Sequence, residues 1–511
     1  MESMDLGFSA GQPAPRPVHL HVVHDFGGGI GRWLDDFCLA DRARVNLVLK
    51  PYSLSHAYAE GLVLHEGNAP ERLLRIVRFS SPIHATDVHH AEYRQAVEAI
   101  LRDFQVGAIL VSSFIGHALD ILATGLPTLV INHDFYPVCP AINLYFGQVC
   151  TSCDAARLSE CASRNTDFNS PHRIFPVAQR LKLREGLCEM LLAQRTTMVV
   201  PTDSVRRHLL DIVPDLAALR FETIPHGQSP LLAPVSWKAR DASARLRVLV
   251  LGIQSVTKGM RLLFEILPEL TRFADVYLVG AREAGELFRY REAVHVVDEY
   301  RMEELQGIVE GIAPDLGLLL SPWPETFSYT LGELLQLRIV PVATRVGGFA
   351  DRIQDGETGF LVAPEAPSVL ACLRRLDLHR DVLEHVRSNL ARLPPRSPAE
   401  MVAAYHDLLP LSGGPSALPE SDVAAAEAAL LSGALRSWKL ARSQGVRLDM
   451  KEGRLREIHE ALLRARSECE GLRADLHAGE ARIEALHSST SWRVSAPLRW
   501  LARRVRAALG K

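Results

Sequence analysis

No stretch of this 511-residue chain is apolar for long enough to cross a bilayer, so a transmembrane span is excluded. An excess of one charge is missing too. The 57 Lys and Arg against 60 Asp and Glu leave a formal charge of -3, which argues against a nucleic-acid protein. The opening residues, MESMDLGFSAGQPAPRP, are acidic and Gly/Pro-rich with no apolar core, so they are not a signal peptide. A cytoplasmic chain is expected, its eight cysteines reduced unless they hold a metal. The length exceeds what one core can bury, and two large domains with an appendage are the starting expectation.

The most informative stretch is 321–338, SPWPETFSYTLGELLQLR. It follows an apolar run, Leu316 to Leu320, that reads as a buried parallel strand, and it turns at Pro322 and Pro324 before a helical period begins. This spacing predicts Glu325 at the helix mouth and Glu333 about two turns along the same helix. Between them Thr326, Phe327, Ser328 and Tyr329 are expected to offer first-turn N–H groups, a seat for phosphate. Anion donors beside two carboxylates that accept hydroxyls suit a sugar nucleotide. The bland alternative makes both glutamates ordinary helix charges.

Glu325-x7-Glu333 after a strand, followed by Pro341-Val-Ala-Thr, Gly347-Gly348 and Asp355-Gly-Glu-Thr-Gly359-Phe, resembles the donor half of the family 4 retaining glycosyltransferases of GT-B fold. The resemblance extends over about residues 18 to 410 and implies two Rossmann-like α/β domains with a cleft between them. In its light Lys258, in Thr257-Lys258-Gly259 after the strand Leu246–Leu251, stands where the family keeps a lysine on the donor pyrophosphate. The family often has an arginine directly after the glycine of that strand. Here the residue is Ile253, which leaves more of the charge to Lys258 or brings in Arg32. The resemblance further implies that Glu325 holds the donor sugar and Glu333 the ribose, and that the nucleobase sits near Tyr300. Tyr300 either stacks on the base or is an ordinary rim tyrosine.

Along the chain, Val18 to His24 rises as a strand into Gly27-Gly28-Gly29, and Trp33, Leu34, Phe37 and Cys38 recur at helical spacing. The resemblance places Gly28 and Gly29 against the donor phosphates; alone they could be only a turn. The triplet is too irregular for a dinucleotide fingerprint. Strands are expected at Val45–Leu49, Val106–Val111 and Pro127–Ile131, with a helix from about His90 to Phe104. The last of these strands runs into His133, which the resemblance puts on the acceptor side near the reacting sugar, and which could otherwise merely cap the strand. A long helix is expected from Arg173 to Gln194, then a strand Thr196–Val200 and a hand-over strand at Thr223–Gly227. The second half should add strands at Ala274–Gly280 and Val294–Val297 and a last helix at Ser397–Leu409.

Cys139, Cys150, Cys153 and Cys161 fall in a polar insertion at about 136–172, and Cys150-Thr-Ser-Cys153 has the spacing of a zinc knuckle. Four thiolates would saturate a structural zinc; four reduced cysteines are the other reading. A redox role is weaker, since no thioredoxin-like pattern surrounds them.

After Ser412-Gly-Gly-Pro-Ser the period changes to seven, with Leu448, Leu455, Leu462, Cys469, Leu476 and Ile483 forming a seam joined by Ile458, Ala465, Leu472 and Leu486. A coiled coil that oligomerises the chain is expected, against a single helix folded back. The segment 488–511 has six cations and no acid, with Leu498, Leu501, Val505 and Leu509 on one face and Trp492 and Trp500 as interfacial residues. It reads as an amphipathic segment lying on anionic lipid. Its Ser-Thr-Ser-Trp-Arg ending is similar to those that follow coiled coils in bacterial polysaccharide-assembly glycosyltransferases. Nucleic-acid binding is a weaker alternative, because the aromatics form no base-stacking array.

The expected layout is therefore a tail (1–17), an acceptor domain (18–229), a linker (230–244), a donor domain (245–410), a second linker (411–420), a helical coiled coil (421–487) and a basic tail (488–511). The expected activity is retaining transfer of a sugar from a nucleotide donor to a glycan or lipid-linked acceptor at the inner face of the cytoplasmic membrane. No catalytic cofactor is expected. A catalytically weak scaffold of a glycan-assembly complex and a GT-B sugar-nucleotide epimerase are the alternatives.

Overall fold

The structure is a computed structural model that describes residues 16–53, 58–165, 176–229, 232–235, 244–409, 418–437, most of 471–499, and 504. The chain divides into two compact units, Met1–Leu440 and Ala441–Lys511.

The first unit begins with β1 (Val18–Val22), α1 (Gly28–Ala40), β2 (Val45–Tyr52), β3 (Tyr58–Glu66), β4 (Ala69–His84), β5 (Thr86–Asp87), α2 (Ala91–Asp103), β6 (Val106–Val111), β7 (His117–Ala118) and β8 (Thr128–Ile131). It continues through α3 (Ala155–Arg164), α4 (Val177–Ala193), β9 (Thr197–Val200), α5 (Asp203–Ile212) and β10 (Phe221–Thr223). These strands make an eight-stranded sheet of order β10-β9-β8-β6-β1-β2-β3-β4, with β5 and β7 pairing separately. β1 runs parallel to both β2 and β6, and all five of its residues are buried, as a strand covered on both faces requires.

A second sheet follows: β11 (Leu246–Leu251), α6 (Met260–Leu270), β12 (Ala274–Val279), β13 (Val294–Val297), α7 (Met302–Ile312), β14 (Leu316–Leu319), α8 (Tyr329–Gln336), β15 (Val340–Thr344), α9 (Gly347–Arg352), β16 (Phe360–Val362), α10 (Ala366–Leu378) and α11 (Asp381–Leu390). Its order, β13-β12-β11-β14-β15-β16, reads 3-2-1-4-5-6 and is parallel throughout. That is the doubly wound Rossmann order, in which direction of travel reverses between β11 and β14. The fold is thus α/β with two Rossmann-like sheets, as expected.

Three details differ from the sequence reading. β3 and β4 form a long antiparallel hairpin, outside the expected strands, closed by Gly67-Asn68, a residue pair suited to a two-residue turn. The hand-over strand is Phe221–Thr223, and residues 224–227 are extended loop, because β10 pairs with β9 only that far. The last helix, α12 (Pro398–His406), packs on α1 of the first domain: Met401, Val402 and Tyr405 join Trp33 and Phe37 in one buried cluster. Its apolar face fits the side of the first sheet that α1 leaves partly uncovered, so chain order and packing disagree about its domain. Of the expected helix from Arg173, residues 173–175 lie outside the described residues.

Residues 418–437 return to the first domain. Asp422 donates its N–H to the Leu74 carbonyl at 3.3 Å, and Arg75 and Arg78 pair with Asp422 and Glu427 at 2.9 and 2.7 Å. The outer strand β4 thereby has part of its open edge covered.

In the second unit Leu476 and Ile483 lie on helical residues and are exposed. The rest of the proposed seam, Leu448, Leu455, Ile458, Leu462, Ala465, Cys469, Leu472 and Leu486, lies outside the described residues, as do Trp500, Leu501, Val505 and Leu509 of the tail. A short helix, Thr490–Val494, carries Trp492, over whose ring Arg499 sits at 3.7 Å. Among the described residues no helix is long and apolar enough to cross a membrane.

Candidate functional site

In open parallel sheets ligands bind beyond the carboxyl ends of the strands where the strand order reverses. In the second sheet these ends are the β11–α6 and β14–α8 loops. The β11 loop carries Lys258 and closes at Gly259, whose φ of 88° is open to glycine; a Cβ there would stand 2.0 Å from the Leu320 carbonyl oxygen. Glycine therefore lets the Lys258 turn rest on the end of β14. Ser321 Oγ ties the two loops by donating to the Thr257 carbonyl at 2.8 Å. Lys258 Nζ then meets Glu325 Oε1 at 2.6 Å, and Trp323 Nε1 donates to the same oxygen at 3.1 Å.

α8 starts later than the spacing predicts. Its first residue is Tyr329, and Ser328, with φ 67°, is its cap, the Ser328 Oγ accepting the Leu331 N–H at 3.2 Å. Arg352 fixes this kink by donating to the carbonyls of Phe327 and Ser328 at 2.6 and 2.8 Å. Glu325 is therefore held in the loop before the helix, and only Glu333 is on it. The first-turn donors are Tyr329 and Thr330 instead of Thr326 to Tyr329. Thr326 faces the first domain, donating through Oγ1 to the His133 carbonyl at 2.7 Å and accepting at its own carbonyl from Thr202 at 2.9 Å. Phe327 is buried between His226, at a centroid distance of 4.6 Å, and the Arg352 guanidinium, 3.8 Å above its ring.

The first domain presents its own reversal point, between β6 and β1. Gly27 and Gly28 both have φ of 71°, which bends the chain from β1 into α1 and leaves Gly28 facing open space. Gly29 lies against the Tyr329 ring, with 3.9 Å from an added Cβ to the ring carbons. One turn on, Arg32 ion-pairs with Glu333, donates to the Ser229 carbonyl at 3.3 Å and stands 4.6 Å over the Tyr329 ring. His133 follows β8; its Nε2 lies 3.2 Å from Ser112 Oγ and its ring 5.0 Å from both Trp33 and His226. Contacts thus join Gly29 to Tyr329, Arg32 to Glu333 and His133 to Thr326 across the two domains and Lys258 to Glu325 within the second, while Gly28 faces open space. Tyr300 packs beside Gly280, where an added Cβ would stand 2.7 Å from its ring.

Burial sets the charges here. It raises the Glu333 carboxyl above its ordinary value, with Arg32 opposing, and raises the Tyr300 phenol, with Glu333 adding to the effect. Burial pushes His133 down to about 3 and Asp134 up to about 7, so this histidine is neutral at any working pH. Arg32, Trp323 and Arg352 were not assigned to these contacts from sequence. Their partners lie far along the chain, apart from Trp323, which is two residues before Glu325.

The cysteines fall elsewhere. Cys139, Cys150, Cys153 and Cys161 line one small cavity beside α3 and α4. Burial raises the thiols of Cys139, Cys150 and Cys161, Cys139 to about 12, which makes them poor nucleophiles. Among the described residues no group of three or more His, Cys, Asp or Glu side chains is drawn together as a metal set as it lies.

Residues 245–376 match the family model of Glycosyl transferases group 1. The match spans the second sheet and contains Lys258, Tyr300, Glu325 and Glu333, whereas Gly28, Gly29, Arg32, His133, Cys139, Cys150, Cys153 and Cys161 lie outside it. Comparison with curated proteins returns no match. Among solved structures, a sucrose-phosphate synthase from Thermosynechococcus elongatus is 14% identical, with 77% of this chain and 98% of that one covered at a TM-score of 0.49. Alr3699/HepE of Anabaena in complex with UDP and glucose is 14% identical, with 76% and 98% covered at 0.48. The lipopolysaccharide outer core galactosyltransferase WaaB is 10% identical, with 77% and 98% covered at 0.45. These likenesses add nothing to what the strand orders show.

Proposed function

We propose that this chain is a retaining glycosyltransferase that moves a sugar from a nucleotide donor to a glycan or lipid-linked glycan acceptor in cell-surface polysaccharide synthesis. The observation that carries the reading is the Lys258–Glu325 pair at the strand reversal of the second sheet, next to Thr326, which donates to the His133 carbonyl of the first domain. In this reading the donor pyrophosphate lies at the α8 N-terminus beside Lys258, where first-turn N–H groups and an ammonium favour anions. Glu325 exchanges Lys258 for sugar hydroxyls, and Glu333 exchanges Arg32 for the ribose, each as a charge-assisted acceptor.

The bond from the anomeric carbon to the phosphate oxygen breaks, and the acceptor oxygen bonds to that carbon on the same face. Its proton passes to the departing phosphate. What needs stabilising is the charge growing on the diphosphate, the task of Lys258 and the helix mouth. His133, neutral and beside Ser112 and Trp33, orients hydroxyls without taking a proton. Catalysis in this reading needs no cofactor. The basic tail holds the protein to an anionic membrane face, and the heptad segment joins copies or partners.

The test is product analysis with UDP-, GDP- and dTDP-sugars on isolated lipid-linked acceptors, with the anomeric configuration read by NMR. A product of retained configuration supports the reading. An inverted product, an epimerised donor without transfer, or donor binding without turnover would each overturn it, the last two in favour of the epimerase and the scaffold.

A further inference from the structure

The insertion between β8 and α4 has a chemistry that the cleft does not use. Cys139, Cys150, Cys153 and Cys161 are brought from three turns of loop and one helix to the wall of a single cavity of about 20 Å³, lined also by Val138, Leu144, Leu158, Arg157 and Arg184. That is room for one water-sized particle.

Two of the sulfurs also accept hydrogen bonds: Arg184 Nη2 donates to Cys153 from 3.3 Å and Asn165 Nδ2 to Cys161 from 3.3 Å. A protonated thiol is a weak acceptor and gains little from such donors. A thiolate gains much more, since charge-assisted bonds are roughly twice as strong as neutral ones.

The charges point the same way. Arg184 is buried, and its recorded partners are the carbonyls of Val138 and Cys153, at 2.9 and 2.6 Å, and the Cys153 sulfur. No carboxylate is among them. Guanidinium charge buried without a carboxylate is costly unless something nearby turns negative. Four thiolates on a divalent ion carry two negative charges in excess, and Arg184 would balance one of them.

We propose that Cys139, Cys150, Cys153 and Cys161 bind one structural divalent ion of the class that thiolates select, zinc, with Arg184 as a positioning residue that stabilises the Cys153 thiolate. The cavity suits one ion rather than a cluster. Since the four sulfurs are not drawn to coordinating distance as they lie, binding contracts the loop onto the ion and releases the thiol protons to solvent. The loop begins just after His133 and Asp134, so the metal would brace the first-domain wall of the cleft. This inference stands whatever reaction the cleft performs.

The test uses the full chain purified under reducing conditions without chelator. About one equivalent of zinc is expected by elemental analysis, released by a mercurial thiol reagent. Cobalt(II) added to the chelator-stripped protein should give the visible and charge-transfer bands of a tetrahedral tetrathiolate. Cys153→Ser should lose both, whereas Cys188→Ser and Cys372→Ser should keep them. Should Cys153→Ser fail to fold, Arg184→Gln leaves all four ligands in place and is expected to weaken zinc retention by about 10- to 100-fold, the usual cost of losing a partner behind a metal ligand. Zinc-free protein with no cobalt spectrum overturns the site. Unchanged zinc affinity in Arg184→Gln overturns the assigned role of Arg184.

Discussion

The two large sheets present the same device with different finish. In the second, the residues that meet at the strand reversal are charged and contributed by its own loops: Lys258 and Glu325 pair within the domain, with the lysine about half exposed and the carboxylate nearly buried. In the first, the corresponding loops offer shape: left-handed glycines, a neutral histidine and an aromatic wall of Trp33 and His226. Charge is concentrated where a phosphate would change its charge, and steric fit where a variable partner would enter. Arg32 breaks the pattern, for it is a first-domain cation whose carboxylate, Glu333, belongs to the second.

The comparison is sharpened most by Lys258→Ala. If the second sheet supplies the charge for the transition state, this variant should lose about 2 to 4 kcal/mol, mostly in kcat rather than in donor KM, on the scale of removing an oxyanion donor. Wild-type turnover with folding intact would move the role to Arg32. Arg32→Ala tests the exception. It leaves Glu333 buried without its cation, and a loss of about 2 kcal/mol in stability is expected by denaturant titration at neutral pH. A carboxyl raised above its ordinary 4.5 favours the folded state at low pH and loses that advantage as pH climbs from 4.5 through its folded value. Removing Arg32 raises it further, so the penalty should be small near pH 4 and grow with pH. A pH-independent penalty would show that the pair does not matter.

Gly332→Ala tests how closely the domains meet. A Cβ there would fall 1.7 Å from Gln228 Oε1, displacing the amide that donates to the Tyr329 carbonyl at 3.0 Å, and about 1 to 3 kcal/mol of overpacking is expected as a lowered Tm. Unaltered Tm would mean that Gln228 swings aside at no cost. The smallest effect belongs to the first sheet. His133→Ala should cost about 1 kcal/mol, seen in acceptor KM, and should leave the pH profile unmoved, because an imidazole pushed down to about 3 does not titrate near neutrality. Loss of a limb near pH 6 to 7 in that variant would contradict the neutral role.

Much of this was legible in advance. Val106–Val111 and Leu246–Leu251 are strands with the bounds that their apolar runs suggested, since a strand buried on both faces must be largely apolar, and the edge strand Val294–Val297 keeps its bounds too. The predicted helix at His90–Phe104 is Ala91–Asp103 with His90 as its cap. The start of α8 was not legible. The helical period around Glu325 fits two phases, and a contact from Arg352, some 25 residues on, selects the later one by holding the Phe327 carbonyl.

The sequence by itself determined the alternation of strands and helices, the two Rossmann-like halves, and which side chains stand at strand ends, because burial periodicity and turn chemistry are local. Only the tertiary structure decided which of those ends face each other. α12 leaves its neighbours in sequence for α1 because the apolar face it must bury finds its complement there. Arg32 meets Glu333 across the cleft, and four cysteines spaced irregularly along a loop reach one cavity. Such encounters depend on how layers stack, and no period in the chain encodes them.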